Sequence, residues 1–268
     1  MQKKEEKVYS ALLVIIYLAF ISLGLPDTLL GSAWPQMHIE LNASLSSAGI
    51  ITMIISLGTV ISSLFSDRLN IKLGTGKVTA ISVLMTAVAL LGFSLSHSFI
   101  ILCVLAVPYG LGAGAVDAAL NNYVALHYSS KHMSWLHCFW GVGASIGPYI
   151  IGTCMAHGLG WRGGYSVISV LQFTLTAALF ITLPLWKKVE NSENNVSNGN
   201  NERTQEEPQE RKAKSLSEVL HIKGVIYILF AFFCYSAVEQ TTTLWCASYL
   251  VLNRSIDSNT AAKFAALF

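Results

Sequence analysis

Three acidic residues stand inside stretches of sequence that are otherwise apolar: Asp27 in SLGLPDTLLG, Asp117 in YGLGAGAVDAALNNY and Glu239 in YSAVEQTTTLW. An acid in apolar surroundings is costly, so it commonly faces an aqueous cavity and marks the path of an ion or a solute. Reversible protonation is the chemistry that such residues offer, because a neutral carboxyl group is tolerated there far better than a carboxylate. We therefore predict that these acids couple proton movement. A structural hydrogen bond to a neighbouring group is the alternative.

Polar and aromatic residues near these acids could contact a solute. Asn121 follows Asp117 by four residues, which places both side chains on the same face of a helix. Asn, Gln and His side chains exchange hydrogen bonds with hydroxyl groups, and an indole ring offers a flat face on which a sugar ring can stack. Packing inside a helical bundle would explain the same aromatic residues. The candidate solute-binding residues are Asn121, His137, Gln240, Trp140 and Trp245.

The composition places these residues in a membrane. Hydrophobic residues make up 53% of the 268 residues and charged residues only 12%, whereas a soluble domain carries about 25% charged residues. A helix needs about 20 mainly apolar residues to cross the hydrocarbon core of a bilayer. Seven runs meet that requirement, which predicts an all-α membrane protein. The runs are Val8–Trp34, Ser47–Ser66, Val78–Ser96, Phe99–Leu120, Trp135–Met155, Gly164–Trp186 and Val225–Leu252.

The positions of Lys and Arg predict the orientation of the chain, because positively charged loops stay on the cytoplasmic side. If the N-terminus is cytoplasmic, only Arg162 and Arg254 among the assignable basic residues lie outside. We therefore expect a multi-pass protein of a bacterial plasma membrane with a cytoplasmic N-terminus.

The five cysteines all lie within apolar runs and lack paired spacing, so neither a disulfide framework nor a metal site is predicted.

A polar segment divides the chain. Residues 187–221 are rich in Asn and Glu and lack apolar periodicity, which predicts a disordered cytoplasmic linker. Residues 1–186 would form a six-helix bundle, and residues 222–268 would begin a second bundle. A helix made of the last eleven residues would reach only about 16 Å, too short to cross a bilayer. We therefore expect this sequence to be a fragment that breaks off early in the second bundle.

The first and fourth runs carry their acids at similar positions. Asp27 lies 19 residues after Val8, and Asp117 lies 18 residues after Phe99. Matching positions in the first and fourth helices are what an inverted repeat of three plus three helices predicts, and such repeats build the halves of many transporters. Coincidence is the alternative.

The loop between the second and third runs, SSLFSDRLNIKLGTGKV, combines an acid, a base and a glycine turn. Asp67 and Arg68 end one helix, and Gly74 and Lys77 lead into the next. This loop resembles the cytoplasmic signature loop of the major facilitator superfamily, in which a Gly-x-x-x-Asp-Arg core followed by glycine and basic residues forms a charge-paired gate. Ser63 stands in place of the first glycine, and the spacing to Gly74 is longer. An ordinary positively charged loop is the alternative.

Within that superfamily the chain resembles sugar transporters of the fucose-permease type. The resemblance is carried by PDTLLG around Asp27 and by the pattern Asp117, Asn121 and Tyr123 in the fourth run. It implies a major facilitator bundle in which Asp27 and Asp117 serve proton coupling and sugar contact. His137 stands where a fucose transporter has Gln, and the stretch LHCFWGVGA is closer to the glucose-transporting branch.

The sequence therefore predicts a secondary transporter that imports a sugar or similar small polar solute together with a proton, or with sodium, by alternating access. A drug or metabolite exporter driven by proton antiport would use the same acids and a larger apolar cavity. A non-transporting, truncated remnant is a third possibility. We expect no enzyme, cofactor, metal or nucleic-acid partner, because the sequence has no Ser-His-Asp pattern, metal-ligand cluster or phosphate-binding loop.

Overall fold

The computed structural model describes residues 2–200 and 220–267, and every regular element in these ranges is helical. The prediction of an all-α protein is confirmed. The helices are α1 (Gln2–Asp27), α2 (Leu29–Glu40), α3 (Ser47–Leu73), α4 (Thr75–Leu95), α5 (Phe99–His127), α6 (Ser130–Ala156), α7 (Gly160–Asn200), α8 (Val225–Arg254) and α9 (Ser258–Ala265).

Seven segments within the described ranges are long and apolar enough to span a bilayer, in the order that the sequence predicts. The first span combines α1 and α2 and continues to Glu40, beyond the predicted end at Trp34. Trp34 is fully buried, and its indole N–H donates to the Leu45 carbonyl at 2.7 Å. Helix α7 also continues to Asn200, past the predicted start of the linker at residue 187. The part of that linker from 201 to 219 lies outside the described residues.

The outer surface of the bundle is strongly apolar. Met53, Leu64 and Ile100 each expose more than 70% of their surface, at 73%, 71% and 71%. An apolar surface of this kind marks contact with a membrane or with another protein. Together with the seven long apolar helices, it shows a multi-pass integral membrane protein.

A polar cluster ties three helices together at one end of the bundle. Glu40, at the end of α2, forms an ion pair with Arg162 at the start of α7 and accepts a hydrogen bond from the Trp161 indole at 3.0 Å. The Arg162 guanidinium also donates to the Ser96 carbonyl after α4, at 3.1 Å. We call this end the Glu40 end. The opposite end, where Gly74 separates α3 from α4, is the Gly74 end.

Glycines allow two pairs of helices to approach backbone to backbone. Helix α1 packs against α6, and α3 packs against α5. A methyl group added at Gly143 would lie 2.1 Å from the Ile21 carbonyl oxygen, and one at Gly114 would lie 2.4 Å from the Thr59 carbonyl oxygen. Small residues at such positions are typical of close membrane helix pairs. The pairing of the first span with the fifth, and of the second with the fourth, is the exchange that an inverted three-plus-three repeat requires.

Replacing Gly143 by alanine is expected to destabilise the bundle, because the new methyl group would push α1 away from α6. Overpacking of this kind costs about 1–3 kcal/mol. Gly141 on the same helix is the matched control, since a side chain there meets no atom within 4 Å. Thermal unfolding of the purified protein in detergent should show a lower melting temperature for Gly143→Ala than for Gly141→Ala. Equal melting temperatures would contradict this account of the packing.

Candidate functional site

A cavity of about 440 Å³ lies between the described helices, and each of α1 to α8 contributes to its wall. The wall combines carboxylates, hydroxyl groups, an amide and aromatic rings. Such a mixture, in a cavity of 300–1,000 Å³, is typical of small-molecule sites. The polar and aromatic wall residues are Asp27, Thr52, Ser56, Thr59, Phe93, Tyr109, Asp117, Trp140, Tyr165, Gln240 and Thr243.

Asp27 reaches the cavity because the first span is interrupted there, between the end of α1 at Asp27 and the start of α2 at Leu29. Pro26 lacks an N–H group, so the Ser22 carbonyl one turn earlier loses its helical partner. The side chain of Gln172 on α7 replaces that partner and donates to the Ser22 carbonyl at 2.6 Å. The Ser22 hydroxyl donates in return to Gln172 Oε1 at 2.6 Å. The interruption is therefore stabilised by a buried pair of hydrogen bonds to α7.

The other side of the interruption is tied to α6. The Thr28 hydroxyl donates to the Ala144 carbonyl at 2.8 Å, and the Ser32 hydroxyl donates to the Thr28 carbonyl at 2.9 Å. These contacts fix the start of α2 beside the cavity. They hold the Asp27 side chain at the point where the chain changes from α1 to α2.

Both carboxylate oxygens of Asp27 accept hydrogen bonds from aromatic residues on other helices. The Tyr109 hydroxyl donates to Oδ1 at 3.2 Å, and the Trp140 indole donates to Oδ2 at 2.9 Å. Asp27 is nevertheless exposed, because its side chain borders the cavity, whereas Tyr109 is only 5% exposed. Asp27 is thus held in place by neutral donors and remains within reach of water or a solute.

Asp117 also borders the cavity, on α5. Asn121 Nδ2 donates to Asp117 Oδ1 at 2.9 Å and to the Asp117 carbonyl at 3.0 Å. Asn121 therefore contacts the acid and does not line the cavity itself. His137 interacts electrostatically with Asp117, but its exposed ring lies edge-on to Phe20 at 6.2 Å and is not part of the wall.

Helix α8 contributes Gln240 to the wall, whereas Glu239 and Trp245 are not part of it. Glu239 accepts a hydrogen bond from Tyr235 at 3.4 Å and interacts electrostatically with Asp27. Trp245 packs against the apolar core of the bundle. The structure thus places two of the three predicted acids, Asp27 and Asp117, in the cavity wall, and the third, Glu239, close enough to interact electrostatically with Asp27.

The predicted gating residues at the Gly74 end lie away from this cavity. Asp67 and Arg68 do not end a helix, as predicted, but lie within α3, which continues to Leu73. Both are exposed, and the Arg68 guanidinium lies 6.0 Å from the Phe65 ring. Within the described part of the chain, no ion pair joins Asp67 to Arg68. Gly74 has φ of 81°, a conformation that favours glycine and lets α4 start directly after α3. Lys77 is exposed and borders a second cavity of about 340 Å³.

Tyr109, Tyr165 and Gln172 are site residues that the sequence analysis did not single out. Tyr109 precedes Asp117 by eight residues, about two helical turns, so it could have been noticed as a second polar group near the same face. No local signal connects Gln172 with Ser22.

Among residues 2–200 and 220–267, no group of three or more His, Cys, Asp and Glu side chains could hold a metal ion.

Comparison with known proteins agrees with this architecture. The family model described as Major Facilitator Superfamily matches residues 16–268. An uncharacterized transporter of Sinorhizobium fredii, y4wD, is 26% identical over 42% of this chain and 31% of its own length. Synaptic vesicle glycoprotein 2B of Rattus norvegicus is 25% identical over 65% of this chain and 26% of its own length. The hexuronate transporter of Bacillus subtilis is 21% identical over 91% of this chain and 57% of its own length.

The chain spans less than a third of the length of the first two of these relatives and less than two thirds of the third. The family match, by contrast, covers nearly the whole chain and agrees with the seven apolar helices. This is a family of membrane transporters and not of enzymes. The helical bundle and the family match lead to one assignment: the chain belongs to the major facilitator superfamily.

Proposed function

We propose that this chain is part of a secondary transporter that moves a sugar or similar small polar solute inward together with a proton, by alternating access. The observation that carries the proposal is the cavity in which Asp27, held by Tyr109 and Trp140, shares a wall with hydroxyl and amide groups. The name of the hexuronate transporter of Bacillus subtilis, a distant relative, supports a solute with a sugar skeleton and says nothing of the charge that this cavity accepts.

The hydrogen bonds of Asp27 support proton coupling. Both of its oxygens accept from groups that can donate, the Tyr109 hydroxyl and the Trp140 indole. A protonated carboxyl group carries a donor of its own and is a weaker acceptor than a carboxylate, so proton binding weakens these contacts. Protonation of Asp27 would therefore change how α1 is attached to α5 and α6. Asp117, with Asn121, forms the second proton site, and Glu239 adds a third acid nearby.

The rest of the wall supports the binding of a polar solute. Ser56 on α3 and Gln240 and Thr243 on α8 offer hydrogen-bonding groups to solute hydroxyls. The rings of Trp140 and Tyr165 offer flat faces, and aromatic side chains bury large areas at little entropic cost. A volume of about 440 Å³ accommodates a hexose and several waters, since a water occupies about 30 Å³ in the liquid. Drug or metabolite efflux by proton antiport is the rival function, and it requires a larger, more apolar cavity.

The placement of the chain in the membrane is part of the same proposal. Residues 1–186 form the N-terminal bundle, residues 187–221 connect it to the second bundle on the cytoplasmic side, and residues 222–268 begin that second bundle. The N-terminus and the Gly74 end are cytoplasmic, and the Glu40 end is outside, in a bacterial plasma membrane. The excess of Lys and Arg in the loops of the Gly74 end supports this orientation.

Transport in proteoliposomes tests the proposal. Labelled glucose should accumulate when the pH outside is lower than the pH inside, and a protonophore should abolish that accumulation. A sodium gradient in place of the pH gradient would produce accumulation only if sodium is the coupling ion. Extrusion of solute under the same inward proton gradient would instead indicate antiport. Absence of both accumulation and counterflow for hexoses would remove the sugar from the proposal.

In the full-length transporter, Asp117→Asn is expected to abolish proton-driven uptake while sparing exchange of labelled for unlabelled solute, because asparagine cannot bind a transported proton. Asp257→Asn is the matched control. Asp257 is exposed and caps α9 by accepting from the Thr260 N–H at 3.0 Å, a role that asparagine fills equally well. Uptake and exchange should be measured on the same vesicles. Unchanged accumulation in Asp117→Asn would remove Asp117 from the coupling mechanism.

A further inference from the structure

The charge of the cavity wall is one-sided. Two wall residues are acidic, Asp27 and Asp117, and among the described wall residues there is no Lys, Arg or His. The groups bonded to these carboxylates are the neutral side chains of Tyr109, Trp140 and Asn121. When Asp27 or Asp117 is ionised, the described part of the wall therefore carries negative charge without a cationic side chain beside it that could neutralise a bound anion.

Acidic and basic groups behind the wall do not reverse this balance. Glu239 adds a further acid that interacts electrostatically with Asp27. His137 interacts with Asp117, but it lies outside the wall and its ring faces Phe20. A solute carboxylate in the cavity would thus lie nearer to acidic than to basic side chains.

The hydroxyl groups of α3 also present acceptors to the cavity. The Thr52 hydroxyl donates to the Ala48 carbonyl at 3.1 Å, and the Thr59 hydroxyl donates to the Ile55 carbonyl at 3.0 Å. A hydroxyl has one proton to donate and two lone pairs with which to accept. Because the proton of each hydroxyl is already engaged, its oxygen remains available to accept from a solute. At these two positions the wall suits a solute that donates hydrogen bonds.

We propose that the cavity selects hydroxylated solutes that are neutral or positively charged, such as hexoses and hexosamines, and rejects their carboxylated counterparts, the hexuronates. The preference for a sugar skeleton depends on the function proposed above, whereas the selection by charge rests on the ionised acids of the described part of the wall. Like charges that meet in a binding site oppose binding strongly. We therefore expect a hexuronate to bind at least about tenfold more weakly than the matching hexose.

A matched series of ligands tests this proposal on the purified protein. Glucose, glucosamine and glucuronate share one ring and differ in charge at about pH 6.5, where the amine is largely protonated and the acid is ionised. Binding should be followed by quenching of tryptophan fluorescence, since Trp140 lines the cavity, and by the shift in melting temperature. A second series of phenethylamine, phenylethanol and phenylacetate varies charge on a skeleton that is not a sugar.

Glucuronate should bind at least about tenfold more weakly than glucose and glucosamine, and the double variant Asp27→Asn, Asp117→Asn should reduce that discrimination to less than about threefold. Each single variant serves the same comparison should the double variant fail to fold. If the hexose series does not bind but the second series shows the acid to be weakest, the sugar proposal fails and the selection by charge stands. An acid that binds as well as its neutral partner, or a lack of binding in both series, overturns the inference.

Discussion

Asp27→Asn should abolish accumulation of solute against a gradient while leaving exchange across the membrane. Asparagine has nearly the same shape as aspartate but cannot take up and release a proton. Its amide oxygen can still accept from one of the two donors, Tyr109 or Trp140, whereas its NH2 group faces the other donor. The variant should therefore keep the cavity and lose the coupling. Uptake driven by a pH gradient, measured beside counterflow on the same vesicles, gives both quantities.

Tyr109→Phe separates the charge of Asp27 from its hydrogen bonds. This variant removes the donor at 3.2 Å and keeps the carboxylate and the Trp140 contact, so we expect it to retain accumulation. Asp257→Asn, far from the cavity, should behave as the unmodified protein. If Asp27→Asn accumulated solute normally, the site would not couple protons through Asp27. If Tyr109→Phe lost accumulation completely, the hydrogen bond itself would be essential.

Gly31→Val should block the transport cycle at the contact between α2 and α8. A side chain added at Gly31 would lie 2.1 Å from the Thr243 carbonyl oxygen and 2.9 Å from the Leu244 backbone. These atoms belong to the backbone, so a valine cannot fit unless α2 and α8 separate. We expect the valine to keep α2 and α8 apart at this contact. The variant should still bind solute but lose both uptake and counterflow.

Gly49→Val is the control for this experiment, because a side chain at Gly49 meets no atom within 4 Å. Melting temperature and solute binding in detergent would show that the Gly31 variant is folded. Transport at the normal rate by Gly31→Val would mean that α2 and α8 need not come together during the cycle. The same loss of transport in Gly49→Val would show that the defect does not arise from this contact.

The sequence contained enough information to place the carboxylates of the site but not their partners. Asp27 and Asp117 stand out because an acid in a long apolar run is costly unless it faces water, and both border the cavity. Tyr109 has only its spacing from Asp117 to indicate a role, and Gln172 has no local signal at all. Gln172 bonds to Ser22 across 150 positions of sequence, and contacts at such separations depend on how the helices pack.

Helical geometry explains which of the other candidates reach the cavity. Gln240, Thr243 and Leu244 follow the i, i+3, i+4 spacing of one helix face and line the wall. Trp245 lies five residues after Gln240, about 140° around the helix, and so turns toward the core. Asn121 is on the face of Asp117, as predicted, and is engaged by that acid. Applying the helical period of 3.6 residues to this segment would have excluded Trp245 from the candidate solute-binding residues.

Both parts of the broken first span are fastened to the same neighbour. Ser22 attaches α1 to α7 through Gln172, and Glu40 attaches α2 to α7 through Arg162. Because both parts of the span are attached to α7, a change in the angle at Pro26 would have to break one of these attachments. We infer that the kink keeps Asp27 at a fixed position, and that α1, α2 and α7 move together as one rigid unit with α6, to which Thr28 is bonded. The movement that opens and closes a passage then takes place at the contact between this unit and α8.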